Sequence, residues 1–399
     1  MTPPRLAIVT SHPTQYYAPW FRHLAAHLAA DLRVHYLWDR EAGEGALDPE
    51  FGRSVRWDTD LLDGYAHEFV PNVSSHPGTQ RFGGLHNPSL PARLSAWEPD
   101  VLLLFGYGWR TPLQLALAWR RCPLVLRGDS HDLAPDKRSL PGRRLGRLAR
   151  RIVFRRFAAF AAVGAANRDH YLSHGVPSSR IFPVPHCVDN ARFTAPGVRE
   201  AALAWRAELG IPATRLVVGF AGKFIPKKQP DALIRAFRRL APPDAALLLI
   251  GDGTLRPQLE KLAEGRRDIL LAPFQNQSAM PRALAALDLL VLPSLGPEET
   301  WGLVVNEAMA AGVPCLVSTH AGCRADLIEE DRTGWSFPAG DEAALAAQLG
   351  RSLAALRERR LEFQRRIAHR IARYSYAQAT AGLQVLLDAL RNPPAQPQR

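Results

Sequence analysis

The chain has 399 residues, 47% hydrophobic and 22% charged, an ordinary globular composition on a length beyond one hydrophobic core, so two domains are expected. Its longest uncharged apolar run, residues 157–166, is half of the roughly 20 needed to cross a bilayer, which excludes a spanning segment, and Cys122, Cys187, Cys315 and Cys323 form no C-x-x-C pair, which argues against a disulfide framework or zinc site. A net charge of +12 and a pI near 10 suit nucleic acid, an anionic membrane or a phosphorylated ligand, and placement of the charge has to choose among them.

Residues 1–5 run straight into the strand-like 6–9, without the basic start, apolar stretch and cleavage site of a secretory signal, so a cytosolic location is expected. Strand and helix patterns then alternate: strands at 6–10, 32–38, 101–105, 124–127 and 160–163, with a helix around 20–30, which predicts a parallel sheet covered on both faces. The loop after the first strand reads Ser11-His12-Pro13-Thr14-Gln15-Tyr16-Tyr17, and His12 there is either a ligand contact on the acceptor side or an ordinary loop histidine. After 101–105, Tyr107 and Trp109 form an aromatic loop that either stacks on a sugar or lipid acceptor or packs between domains. After 124–127 comes Gly128-Asp129-Ser130-His131-Asp132, at the strand edge where chemistry is expected in open α/β sheets. Next, Arg143, Arg144, Arg147, Arg150, Arg151, Arg155 and Arg156 interleave with Leu145, Leu148, Ile152 and Phe154, with no acid among them, which predicts a basic amphipathic helix. Its alternatives are a solvated face packed on its own domain and a contact with anionic membrane; nucleic acid is set aside because no nucleic-acid motif or stacking array accompanies the charge.

The pattern restarts after Gly210-Ile211-Pro212, with strands at 216–220, 246–250, 269–271, 289–292 and 315–318, which predicts a second doubly wound domain and a linker region at 193–209. Two such domains facing each other define a cleft. Its most informative segment carries Glu299 and Glu307, separated by seven residues across Gly302, with Glu307 inside a predicted helix. The first-turn amides near Gly302, Leu303 and Val304 favour a phosphate, and the carboxylates make sense as partners of sugar hydroxyls beside it. Positive charge for a diphosphate leaving group is available from Lys223 and Lys228, directly after the first strand of this domain, although loop lysines are usually just solvated.

Taken in order, Val184-Pro185-His186-Cys187-Val188-Asp189 with Phe193, Gly222-Lys223 with Lys228, Leu248-Leu249-Ile250-Gly251-Asp252-Gly253, Ala286-Leu287-Asp288 and the two-glutamate segment followed by Gly312-Val313-Pro314 resemble the retaining nucleotide-sugar glycosyltransferases of family 4. The resemblance spans nearly the whole chain. It implies a GT-B fold, α/β, with two Rossmann-like doubly wound parallel-sheet domains: 1–195 binding acceptor, 196–375 binding nucleotide-sugar, a helix over 376–392 crossing back to the first domain, and a disordered tail at 393–399. It further implies that Lys223 and Lys228 hold the donor phosphates, Glu307 the ribose and Glu299 the transferred sugar, with Gly222, Phe274, Trp301, Gly302, Leu303 and Val304 completing the donor site. Family members place a histidine near the 128–132 loop against the transferred sugar; His131 is the match, and Asp129 its rival on the acceptor side. His131, Glu299 and Lys228 are thus the catalytic set.

The sequence departs from the family pattern at the bulky 11–17 loop, where paired glycines are common, at His186-Cys187, where Asn-Gly is usual, and at Lys223, where an arginine is common. The implied reaction moves a sugar from a nucleotide diphosphate-sugar, UDP- or GDP-linked, to a glycan or lipid-linked acceptor in bacterial polysaccharide or cell-envelope synthesis, with retained configuration and without metal or other cofactor. The basic helix at 143–156 adds an expected peripheral contact with the inner membrane face. A nucleotide-sugar 2-epimerase and a non-catalytic membrane-associated scaffold are the rival readings.

Overall fold

A computed structural model describes residues 3–39, 46–48, 53–136 and 138–392; the tail at 393–399 lies outside the described residues. In chain order the first sheet is built from β1 (Arg5–Thr10), β2 (Asp31–Tyr36), β5 (His67–Phe69), β6 (Val101–Phe105), β7 (Leu124–Arg127), β8 (Ala159–Ala162) and β9 (Ile181–Pro183), with β3 (Ala46–Asp48) and β4 (Arg53–Val55) forming a separate antiparallel pair. Its order is β5-β2-β1-β6-β7-β8-β9, and every pairing is parallel. The second sheet comprises β10 (Leu216–Ala221), β11 (Ala245–Ile250), β12 (Ile269–Ala272), β13 (Leu289–Leu292), β14 (Cys315–Ser318) and β15 (Gly334–Phe337), ordered β12-β11-β10-β13-β14-β15 and likewise parallel.

The continuous apolar runs explain why these strands are central. Leu102, Leu103 and Leu104 in β6 and Leu247, Leu248 and Leu249 in β11 are fully buried, as helix-covered parallel strands require. Each such side chain contributes about 1.5–3 kcal/mol of burial free energy. The short strands β5, β9 and β15 lie outside the sequence expectations: at three or four residues they carry too little pattern to stand out.

Residues 193–209 are not the linker expected from Pro196 and Gly197. Val198–Glu208 is a helix of the second domain, burying Ala202 and Trp205 in its core. Arg206 pairs with buried Asp288 at 2.7 Å and donates to the Ala286 carbonyl at 2.6 Å, while Asp288 also accepts from the Val217 amide at 2.8 Å. A buried arginine needs such partners, so the Ala286-Leu287-Asp288 motif is a structural clasp. The last helix, Tyr376–Arg391, returns to the first domain and inserts Ala379, Leu383, Leu386 and Leu387 into that domain's core.

Candidate active site

The carboxyl ends of both sheets open onto one cleft of about 480 Å³. On the second domain, β10 is followed by Gly222, whose φ of 154° turns the chain toward Lys223 and the short 3-10 turn Pro226–Lys228. β13 ends before Ser294, and the Leu295 amide donates to the Lys227 carbonyl at 2.8 Å, which ties the lysine loop to the glutamate loop. Lys228 Nζ forms an ion pair with Glu299 Oε2, and Ser294 Oγ donates to the same oxygen at 2.6 Å. Glu299 is 8% exposed, so this cation and hydroxyl supply what burial takes from its carboxylate.

Gly302 follows at φ 101°, where an added Cβ would meet Leu292 Cδ2 at 2.6 Å, so a larger residue here must distort both backbone and core. It starts the helix Leu303–Ala310, which has no side-chain cap, and the first-turn residues Leu303 and Val304 line the cleft. First-turn N–H groups lack intrahelical partners and carry the positive end of the helix dipole, a natural seat for phosphate. One turn farther, Glu307 is 2% exposed, with Oε1 3.8 Å from Arg192 Nη2, which donates to Gln277 Oε1 at 3.0 Å. Burial pushes the Glu307 carboxyl up to about 7 against the pull of Arg192. Such a carboxylate gains from a ligand that brings hydroxyl donors.

The first domain supplies the facing wall through Thr14, Gln15, Tyr16 and Tyr17, with Asp129 and His186. Burial pushes the Tyr16 hydroxyl well above its ordinary value, with Glu307 adding to the effect. His186 is 3% exposed, stacks on Tyr17 and sits 5.3 Å from the Trp301 ring; burial holds it well below the ordinary imidazole value, with Arg127 contributing, so it is neutral. Two contacts cross between the walls: Thr300 Oγ1 donates to Asp129 Oδ2 at 2.7 Å and Asn306 Nδ2 donates to the His186 carbonyl at 3.3 Å, while Asn306 Oδ1, within its own wall, accepts from Trp301 Nε1 at 2.7 Å.

All ten residues expected around the donor, Gly222, Lys223, Lys228, Phe274, Glu299, Trp301, Gly302, Leu303, Val304 and Glu307, line this cleft, as do His12 and Asp129. His131 does not. It is buried with Nδ1 accepting from the Leu133 amide at 3.3 Å and Nε2 donating to the Glu299 carbonyl at 3.1 Å, so one ring nitrogen holds its own loop and the other ties that loop to the glutamate loop. Tyr107 and Trp109 also lie off the cleft. Tyr107 packs on Phe154, and Trp109 Nε1 donates to the Thr79 carbonyl at 3.0 Å, contacts that lie within the first domain and not between domains. Sequence reasoning missed Lys227, Gln277 and His186 as cleft residues. Lys227 neighbours a chosen lysine, His186 was legible only as a departure from a motif, and Gln277 carried no signal.

Residues 202–370 match the family of glycosyl transferases group 1, and residues 20–192 match glycosyltransferase family 4. The D-inositol 3-phosphate glycosyltransferase of Xylanimonas cellulosilytica is 30% identical over 79% of this chain and 81% of its own. Among solved structures, Anabaena HepE in complex with UDP superposes with a TM-score of 0.73 at 18% identity, covering 96% of this chain and all of HepE. The complex of HepE with UDP-glucose gives 0.69 at 19% identity, covering 98% and 100% of the two chains.

Proposed function

Because the chain belongs to the group 1 glycosyl transferases, with a family 4 N-terminal domain and the GT-B architecture, we propose that its glycosyl donor is a nucleotide diphosphate-sugar held in this cleft, and that transfer proceeds with retained configuration and without a metal ion. The observation that carries the reading is one continuous wall: Lys223 and Lys228, the uncapped start of Leu303–Ala310, and two buried carboxylates, Glu299 and Glu307, on either side of that start.

In this reading the diphosphate lies on the first-turn amides with Lys223 and Lys228 beside it. The ribose hydroxyls donate to Glu307, and hydroxyls of the sugar reach Glu299, which Lys228 and Ser294 hold in place. As the bond from anomeric carbon to phosphate oxygen breaks, its electron pair moves onto the diphosphate, where the lysines and helix start stabilise it in a partly desolvated site. The acceptor oxygen attacks the same face of the sugar, and its proton passes to the departing phosphate oxygen. No protein nucleophile is required. The two lysines supply the charge neutralisation that a divalent cation provides elsewhere, and positioning by the two walls does the rest.

HepE holds UDP and UDP-glucose in the same fold, which supports UDP as the nucleotide; a bacterial polysaccharide or cell-envelope glycan is the acceptor class we assign. D-inositol 3-phosphate joins the acceptor panel because it names the relatives. Product analysis tests the reading. Transfer releases nucleoside diphosphate together with a glycoside of the donor's anomeric configuration, and EDTA leaves the rate unchanged. Conversion to an altered nucleotide-sugar instead would establish the epimerase, and neither product with any donor would leave a scaffold.

A further inference from the structure

The helix Leu140–Phe154 carries a surface that glycosyl transfer does not use. Four of the twelve large hydrophobic side chains exposed among the described residues lie on it: Leu140, Leu145, Leu148 and Ile152, at 70%, 69%, 55% and 50%. Leu145, Leu148 and Ile152 follow i, i+3, i+7 spacing and so share one face. The opposite face anchors the helix. Phe154 is buried against Tyr107, Phe160, Tyr171 and His174, and Arg150 Nε donates to His174 Nε2 at 2.8 Å. The apolar stripe therefore points away from the domain, in a fixed orientation, flanked by the exposed Arg144, Arg147, Arg151 and Arg155.

We infer that this helix docks the protein on an anionic lipid bilayer, with Leu145, Leu148 and Ile152 entering the headgroup–acyl boundary and the four flanking arginines contacting lipid phosphates. Two chemistries coincide in one patch, and a bilayer with acidic lipids satisfies both at once, at the shallow depth an interfacial helix reaches. Nucleic acid offers the arginines a partner but leaves the leucines in water. An apolar groove on a protein accepts the leucines but not a fringe of four like charges unless it is itself acidic, and no acid occurs from Pro141 to Phe157 to suggest self-complementarity. The helix belongs to the first domain, which also supplies cleft-lining Asp129, so docking holds that domain at the lipid surface. That last step makes a lipid-linked acceptor the natural substrate and rests on the transferase reading; the docking itself does not.

The test is co-sedimentation of the full chain with vesicles of phosphatidylcholine alone or mixed equally with phosphatidylglycerol. Leu145→Ser/Leu148→Ser/Ile152→Ser and Arg144→Gln/Arg147→Gln/Arg151→Gln are compared with the unaltered protein. All six substituted side chains lie on the outward side of the helix, so both variants are expected to keep the parent melting temperature, which is measured alongside. The inference expects at least tenfold stronger partition onto the anionic vesicles, weakened at least tenfold by 0.5 M NaCl or by either variant, while thermal stabilisation by donor stays unchanged. Failure to bind anionic vesicles at low salt overturns it, as does binding that the variants leave intact. A dimer of the unaltered protein that the leucine variant dissolves, without vesicle binding, overturns it in favour of a copy–copy interface. Loss of donor stabilisation in the unaltered protein counts against the transferase reading and leaves the docking result standing.

Discussion

The two walls of the cleft are built to different rules. The second domain's wall is a connected polar unit: Lys228 and Ser294 converge on Glu299, the Lys227 carbonyl is tied to the loop that leads to Glu299, and Gly302 turns directly into the helix that carries Glu307. The first domain's wall is a set of separate side chains from the 11–17 loop, Asp129 and His186, joined to the opposite wall by Thr300 and Asn306. On the proposed reading the second domain's wall binds a common donor and has fixed chemistry to satisfy, whereas the first domain's wall binds a particular acceptor and has only that acceptor's shape to match. Damage to the first should abolish reaction with every acceptor; damage to the second should redistribute rates among acceptors.

The sharpest break in that contrast is Lys228→Ala. Loss of one preorganised cation at a leaving group is expected to lower kcat by about 10²–10³-fold, and the melting temperature of the folded variant should also fall, because buried Glu299 loses the cation paired with it. An unfolded variant would show that the Lys228–Glu299 pair holds the fold instead of the reaction. Glu307 comes next and is read through pH. Its carboxyl is raised to about 7 from an ordinary value of 4.5. The native state therefore binds the extra proton between those values, so the free protein is fully stable in this respect below 4.5 and loses stability as pH rises through 7. The loss is on the order of 3 kcal/mol. Donor hydroxyls favour the ionised form, so affinity for a nucleotide-sugar should rise from pH 5.5 to 7.5. In Glu307→Gln both slopes should flatten, as paired denaturation and titration calorimetry would show.

Smaller effects follow. Gly302→Ala forces a side chain into a φ of 101° against Leu292, and a destabilisation of about 1–3 kcal/mol is expected in chemical denaturation, with weaker donor binding. His131→Ala removes the bond to the Glu299 carbonyl without touching the cleft surface; a roughly tenfold loss of kcat, the fold change that corresponds to about 1.4 kcal/mol, is expected. A loss as large as that of Lys228→Ala would return His131 to the reacting atoms. Trp109→Phe, on the packing loop, should leave turnover within twofold for every acceptor, and a selective loss with one acceptor would place the aromatic loop in that acceptor's path.

The same contrast explains what the sequence disclosed. Parallel strands buried on both faces read as apolar runs, and residues such as Glu299, Gly302 and Glu307 sit in one short stretch of chain, where spacing alone relates them to a helix start. The facing wall is assembled from positions 12–17, 129 and 186, whose proximity only the assembled sheet creates. His131 illustrates the limit: its place after β7 was legible, but the direction of its ring depends on where the other domain's Glu299 carbonyl arrives. The helix Val198–Glu208 was hidden for a related reason, since Pro196 and Gly197 mark its start as readily as they mark a linker, and its anchor, Arg206 on Asp288, joins residues far apart in sequence.

The most direct test of the central claim is thermal denaturation of the purified protein with UDP-, GDP-, ADP- and dTDP-linked sugars and the free nucleoside diphosphates, repeated on Lys228→Ala and Glu307→Ala. The account expects one nucleotide class, UDP foremost, to raise the melting temperature of the unaltered protein and to fail with either variant. A folded protein that none of these compounds stabilises would contradict it.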